Sequence, residues 1–186
     1  MKHRAFDPLR LDMSTFAAEG GELEGEWPLA TLPRLSEAGI GEMPEGPGEV
    51  VKWHAAGESR PRSGGGPQLW LHLQADGVIW LECQRCLQPM REPLSVDHSF
   101  RFVRSEAEAE AEDIDSEEDV MALPRSLDLR ALVEDELILE LPLVPRHDAC
   151  PQPLPQPASD PLEAQVEAAP NPFAKLAVLK RGKSSH

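Results

Sequence analysis

The sequence predicts an α+β fold: a twisted, mainly antiparallel sheet or partly open β-barrel, with one main helix and a short C-terminal helix. Three observations carry this. Between residues 22 and 103 apolar residues alternate with polar ones in short runs separated by turn-sized gaps. No stretch there is long enough for the crossover helix that a parallel βαβ unit needs. Near residues 127–140 the apolar period changes from two to that of a helix.

Taken in order, residues 7–20 read as a short capped segment ending at Gly20-Gly21, and Glu22–Leu29 as a strand with Leu23 and Trp27 inward. Ala30–Ala38 forms a short helix before Gly39. Glu49–Ala55 puts Val51 and Trp53 on one face and Val50, Lys52 and His54 on the other. The loop Ser63-Gly64-Gly65-Gly66-Pro67 follows; its proline removes an N–H that a phosphate cradle would use. Gln68–Ala75 sets Leu69, Leu71 and Leu73 against Trp70 and His72. Asp76-Gly77 is a hairpin signal, with Val78–Glu82 as the returning strand. Leu94–Val103 alternates with Leu94, Val96, His98, Phe100 and Phe102 on one face. Trp70 and Trp80 are expected in the core rather than as nucleobase platforms.

Ser105–Asp119 is almost entirely Glu, Ala and Asp. Self-repulsion favours a disordered acidic insert over residues 105–119, although Glu and Ala would also suit a solvated helix. In Ser126–Leu141, Ser126 or Asp128 can cap a helix bearing Leu129, Leu132, Val133 and Leu137 at helical spacing, until Pro142 stops it. Glu134 and Asp135 are then expected on a solvated face. Residues 1–150 thus form one domain. Residues 151–170 are a Pro-rich linker, and 171–186 a docking helix with a basic tail. In that helix Asn171 caps, Pro172 takes the first position, and Phe173, Leu176 and Leu179 offer an apolar surface to a partner. The tail carries Lys175, Lys180, Arg181 and Lys183.

The bulk numbers limit function. A net charge of −15 over 186 residues disfavours non-specific nucleic-acid binding and suits a basic partner. No apolar run of 18 residues exists, and Met1–Asp7 has no signal-like apolar core, so the expected location is the cytoplasm with no membrane contact. Three cysteines in a reducing compartment do not make a disulfide framework.

The cysteines are the most informative residues. Cys83-Gln84-Arg85-Cys86 falls on a turn between two apolar strands, and His147-Asp148-Ala149-Cys150 repeats the two-residue gap. Two readings stay open: small buried thiols that simply pack, or a Cys3His structural zinc site made of Cys83, Cys86, His147 and Cys150. A thiol-dependent redox enzyme using Cys83 and Cys86 is a third. It would want a helix N-terminus at the first cysteine, where β-like flanks stand instead. Neither a phosphate loop nor a His-Glu-x-x-His motif is present, no small-molecule substrate is indicated, and the histidines at 3, 54, 72, 98 and 186 share no ligand spacing.

Three segments together, Leu81–Leu87 (LECQRCL), Val133–His147 (VEDELILELPLVPRH) and Asn171–Lys180 (NPFAKLAVLK), resemble the YceD family of bacterial and plastid proteins. The likeness covers most of residues 70–180. It implies a ribosome-biogenesis factor that promotes synthesis, processing or stability of large-subunit (23S) ribosomal RNA by binding, with no catalysis. The expected partner is a large-subunit RNA precursor or a basic ribosomal or assembly protein, for which the chain would act as a chaperone-like binder.

Overall fold

A computed structural model describes residues 5–40, 49–62 and 66–151. The expected features at 151–170 and 171–186, including Phe173, Leu176 and Leu179, lie outside the described residues apart from residue 151. The described residues belong to one compact unit, Met1–Gln152. Among them, no helix is long and apolar enough to cross a membrane.

The architecture is α+β. Four long strands, β1 (Glu22–Pro28), β2 (Val50–Arg60), β3 (Gln68–Glu82) and β4 (Pro89–Val103), form an antiparallel meander. A short β5 (Asp119–Ala122) joins β4 in parallel, so the sheet is mixed and runs β1-β2-β3-β4-β5. It does not close into a barrel: β1 and β5 remain its two ends. Edge strand β1 turns Glu22, Glu24 and Glu26 to solvent, charges that discourage further strand pairing.

The expected hairpin at Asp76-Gly77 does not form. β3 runs straight through it, pairing Asp76 with Ser95 and Gly77 with Leu94. The physical reason is the uninterrupted period of two: Leu71, Leu73, Ala75, Ile79 and Leu81 are buried on a single face across the dipeptide. Gly77 serves packing instead, since a Cβ there would stand 3.0 Å from Cγ2 of Val51.

The inner face of the sheet carries the core. Val51, Trp53 and Ala55 of β2 meet Leu71, Leu73 and Ile79 of β3 and Leu94, Val96 and Phe100 of β4. Three helices cover that face. α1 (Met13–Ala18) is capped by Asp12, whose carboxylate accepts from Thr15 N, and it buries Met13, Phe16 and Ala17. Gly57 lets it approach: a Cβ there would sit 2.6 Å from the Phe16 ring and 3.0 Å from the Ala17 backbone. α2 (Pro33–Ala38) packs on α4 (Leu129–Leu139), which buries Leu129, Leu132, Val133 and Leu137 as its spacing predicts. Asp128 caps α4, accepting from the amides of Arg130 and Ala131.

The acidic insert is not a disordered loop throughout. α3 (Glu106–Asp113) forms within it, and Asp119 begins β5. Ser105 caps α3 by accepting from Glu108 N, and Ala109 packs with Val103 and Val120 in a small second cluster. Arg101, buried at the sheet surface, pairs with Glu112, and Arg62 stands 3.8 Å from the same carboxylate. Cations thus relieve the self-repulsion that argued against order.

Trp70 and Trp80 do not join the main core. They lie on the outer face, in register with Arg101 and Arg91 of β4. Trp70 is buried beneath the Arg60 guanidinium, 4.2 Å from its ring centre, and Trp80 is half-buried.

Candidate functional site

The β3–β4 connection places the cysteines. After Glu82 the chain turns through Cys83–Cys86, with Cys83 N–H donating to Gln88 O (3.0 Å) and Leu87 N–H to Cys83 O (2.8 Å). Leu87 takes φ +58°, the left-handed region that costs a non-glycine residue about 1–2 kcal/mol. This bend lets Cys83 bury itself completely while Cys86 stays half-buried.

The second pair arrives from beyond α4. Pro142 follows the helix, and residues 142–150 cross the turn without helix or strand. Gln84 N–H donates to Pro145 O at 2.9 Å, docking that segment on the cysteine turn. The ligand atoms of Cys83, Cys86, His147 and Cys150 then all lie within 4.8 Å of one another, close enough to hold a metal ion. Cys86 Sγ is 3.4 Å from His147 Nδ1, and His147 Nε2 is 3.2 Å from Pro89 O. The backbone N–H of His147 points at Cys83 Sγ (3.4 Å).

Arg85, inside the cysteine motif, was not singled out by the sequence. Its Nε donates to Cys150 Sγ at 3.0 Å, and its Nη2 to the carbonyls of His147 (2.7 Å) and Asp148 (3.4 Å). Cys150 in turn raises the pKa of Arg85. Only the position of Arg85 between two cysteines hinted at this role, because its partners lie more than 60 residues away.

The surroundings treat the sulfurs unequally. Burial pushes the Cys83 thiol up, yet N–H donors from His147, Arg85 and Cys86 outweigh it and bring Cys83 down to about 5. Cys86 is pushed up by burial and by the neighbouring Cys150 and Cys83 sulfurs, against an opposing N–H bond from Gln88. A dithiol redox site wants an accessible low-pKa sulfur at a helix N-terminus. Here Cys83 has no exposed surface and sits on a strand-to-strand turn.

Glu134 is not on a solvated face. It is buried, and its Oε1 accepts from the backbone N–H groups of Arg34 (2.7 Å) and Leu35 (3.2 Å) at the start of α2. The Arg34 guanidinium binds its other oxygen, and Asp135 alongside, which is exposed. Glu136 is likewise buried and accepts from His98 Nδ1 at 2.8 Å. On the outer face His72 joins Ser99 Oγ (2.8 Å) and Glu58 (3.0 Å), a cross-strand network that also holds Arg60. The carboxylates of Glu134 and Glu136 are therefore spent on joining elements.

Comparison with known proteins gives the chain its relatives. The curated Haemophilus influenzae (strain ATCC 51907 / DSM 11121 / KW20 / Rd) protein named "Large ribosomal RNA subunit accumulation protein YceD" is 35% identical over 105 residues, which is 54% of this chain and 59% of that protein. The chain therefore matches about six tenths of that relative's length. No solved structure matches the chain. Residues 71–180 match the family described as "Large ribosomal RNA subunit accumulation protein YceD", a span that takes in most of β3, all of β4 and α4, and all four residues of the Cys3His group. The chain belongs to the YceD family, whose name carries a role in the accumulation of large-subunit ribosomal RNA.

Proposed function

We infer that this protein promotes accumulation of large-subunit ribosomal RNA by binding, and that its direct partner is a basic ribosomal or assembly protein. The observation that carries the reading is the family match over residues 71–180. Charge chooses between partners. At −15 the chain opposes the counterion-release term on which RNA affinity rests, and it complements a cationic protein instead. The exposed glutamates of β1 supply part of that acidic surface. In this reading the protein works in the cytoplasm, shielding a basic partner until it meets the RNA, and its cysteine turn has no catalytic part.

The test is purification of the full chain from a nuclease-treated lysate of its native host. The expected result is retention of a basic ribosomal or assembly protein after RNA is destroyed, with loss of that partner at high salt. Loss of all partners on nuclease treatment would make the contact direct RNA binding. Recovery of neither would overturn binding to the ribosomal machinery.

A further inference from the structure

We propose that Cys83, Cys86, His147 and Cys150 hold one structural zinc ion that clasps the β3–β4 turn to the segment following α4. The inference is independent of the functional reading above. Its first support is the donor set. Three thiols and one imidazole, supplied as two pairs with two-residue gaps, make a Cys3His set, and zinc takes such sets tetrahedrally. Zn–S bonds of about 2.3 Å give a tetrahedron with edges of about 3.8 Å. The four atoms already lie within 4.8 Å, with Cys86 Sγ and His147 Nδ1 at 3.4 Å, so small side-chain rotations close the site.

The imidazole is already set for a metal. A carbonyl oxygen only accepts, so the contact from His147 Nε2 to Pro89 O assigns the proton to Nε2. Nδ1 therefore presents its lone pair to the sulfurs. A ligating histidine whose second nitrogen donates to a carbonyl is the arrangement that orients imidazoles on metals.

Donors already face the sulfurs: the His147 backbone N–H points at Cys83 Sγ, and the Arg85 guanidinium donates to Cys150 Sγ. Three thiolates and a neutral imidazole around a divalent ion leave one net negative charge, which Arg85 offsets. Four protein ligands fill the coordination shell, so the site is closed and structural rather than catalytic. The ion would crosslink residues 83–86 to 147–150, a stretch that otherwise relies on a few hydrogen bonds from Gln84, Arg85 and His147.

The experiment uses the full chain, purified under reducing conditions without added metal, with elemental analysis of the product. About one zinc per chain is expected. After chelation, cobalt(II) should restore the site with the intense visible bands of a tetrahedral, sulfur-rich complex. A chain that takes up neither zinc nor cobalt, or cobalt with a weak octahedral spectrum, overturns the site. Cys86→Ser and His147→Ala should each lower zinc content; full stoichiometry in either one removes that residue from the ligand set and overturns the four-ligand site. Limited proteolysis of the wild-type chain tests the clasp without any variant. Chelation should speed cleavage within residues 140–151 by about tenfold or more, reversed by zinc; an unchanged rate overturns it.

Discussion

Replacing Glu134 with alanine should destabilise the fold far more than a helix-surface carboxylate ordinarily would. Its Oε1 serves the first amides of α2, a helix whose own N-cap residue, Leu32, offers no side-chain acceptor. Loss of such a cap costs about 1 kcal/mol. The Leu35 amide belongs to a residue only 1% exposed, and stranding it without an acceptor adds about 1–2 kcal/mol. The ion pair adds little, because the Arg34 side chain is 53% exposed. Together Glu134→Ala should cost about 3 kcal/mol, or about 6–12 °C in thermal midpoint for a chain of this size. Glu134→Gln keeps an acceptor oxygen for both amides and should cost about half as much. Asp135→Ala, at an exposed site on the same helix, should cost less than about 0.5 kcal/mol. The assay is urea and thermal unfolding followed by far-UV circular dichroism. Equal effects of Glu134→Ala and Asp135→Ala would refute the reasoning. So would an Arg34→Ala variant as unstable as Glu134→Ala, since it would move the energy from the amides to the ion pair.

Other perturbations test other joints. Gly57→Ala should destabilise by about 1–3 kcal/mol in the same unfolding assay, because its Cβ meets the Phe16 ring and the α1 backbone; a neutral result would mean that α1 is free to shift. Asp128→Ala should cost about 1 kcal/mol through loss of two capping bonds at α4, and Asp128→Asn should recover most of it. His98 has a raised pKa, chiefly from its bond to Glu136, with Asp119 and Glu140 adding to it and burial opposing it. A histidine raised on folding stabilises fully below its unfolded pKa, about 6.5, and that contribution fades as pH rises through the folded value. His98→Gln should therefore cost more at about pH 5.5 than at about pH 9, by no more than about 1 kcal/mol given 40% exposure of the side chain. A larger penalty at alkaline pH would contradict the pairing.

What the sequence made legible follows the range of each interaction. Period-two and helical spacings are local, so the inward faces of β2 and β4 and the buried stripe of α4 could be read from Val51, Phe100 and Leu137 and their neighbours. At Asp76-Gly77 the local turn signal yields to an apolar phase that continues unbroken through the dipeptide. Order in the acidic segment depends on Arg62 and Arg101, cations supplied by other elements, although Ser105 and Glu108 hold the capping spacing in the sequence itself. β5 has only four residues in parallel register, which leaves almost no periodic signal in the sequence. Glu134 looked solvated because Arg34 and Leu35 lie about a hundred residues away in the chain. Of the cysteine turn, the donor residues and their spacing were visible, while Pro89 O and the guanidinium of Arg85 acquire their parts only through the fold.

The most direct test of the central claim is the ratio of large-subunit to small-subunit ribosomal RNA in cells of the native host depleted of this protein. The account predicts that large-subunit RNA falls while small-subunit RNA is retained, and that the intact chain supplied in trans restores the ratio. An unchanged ratio after full depletion would contradict it.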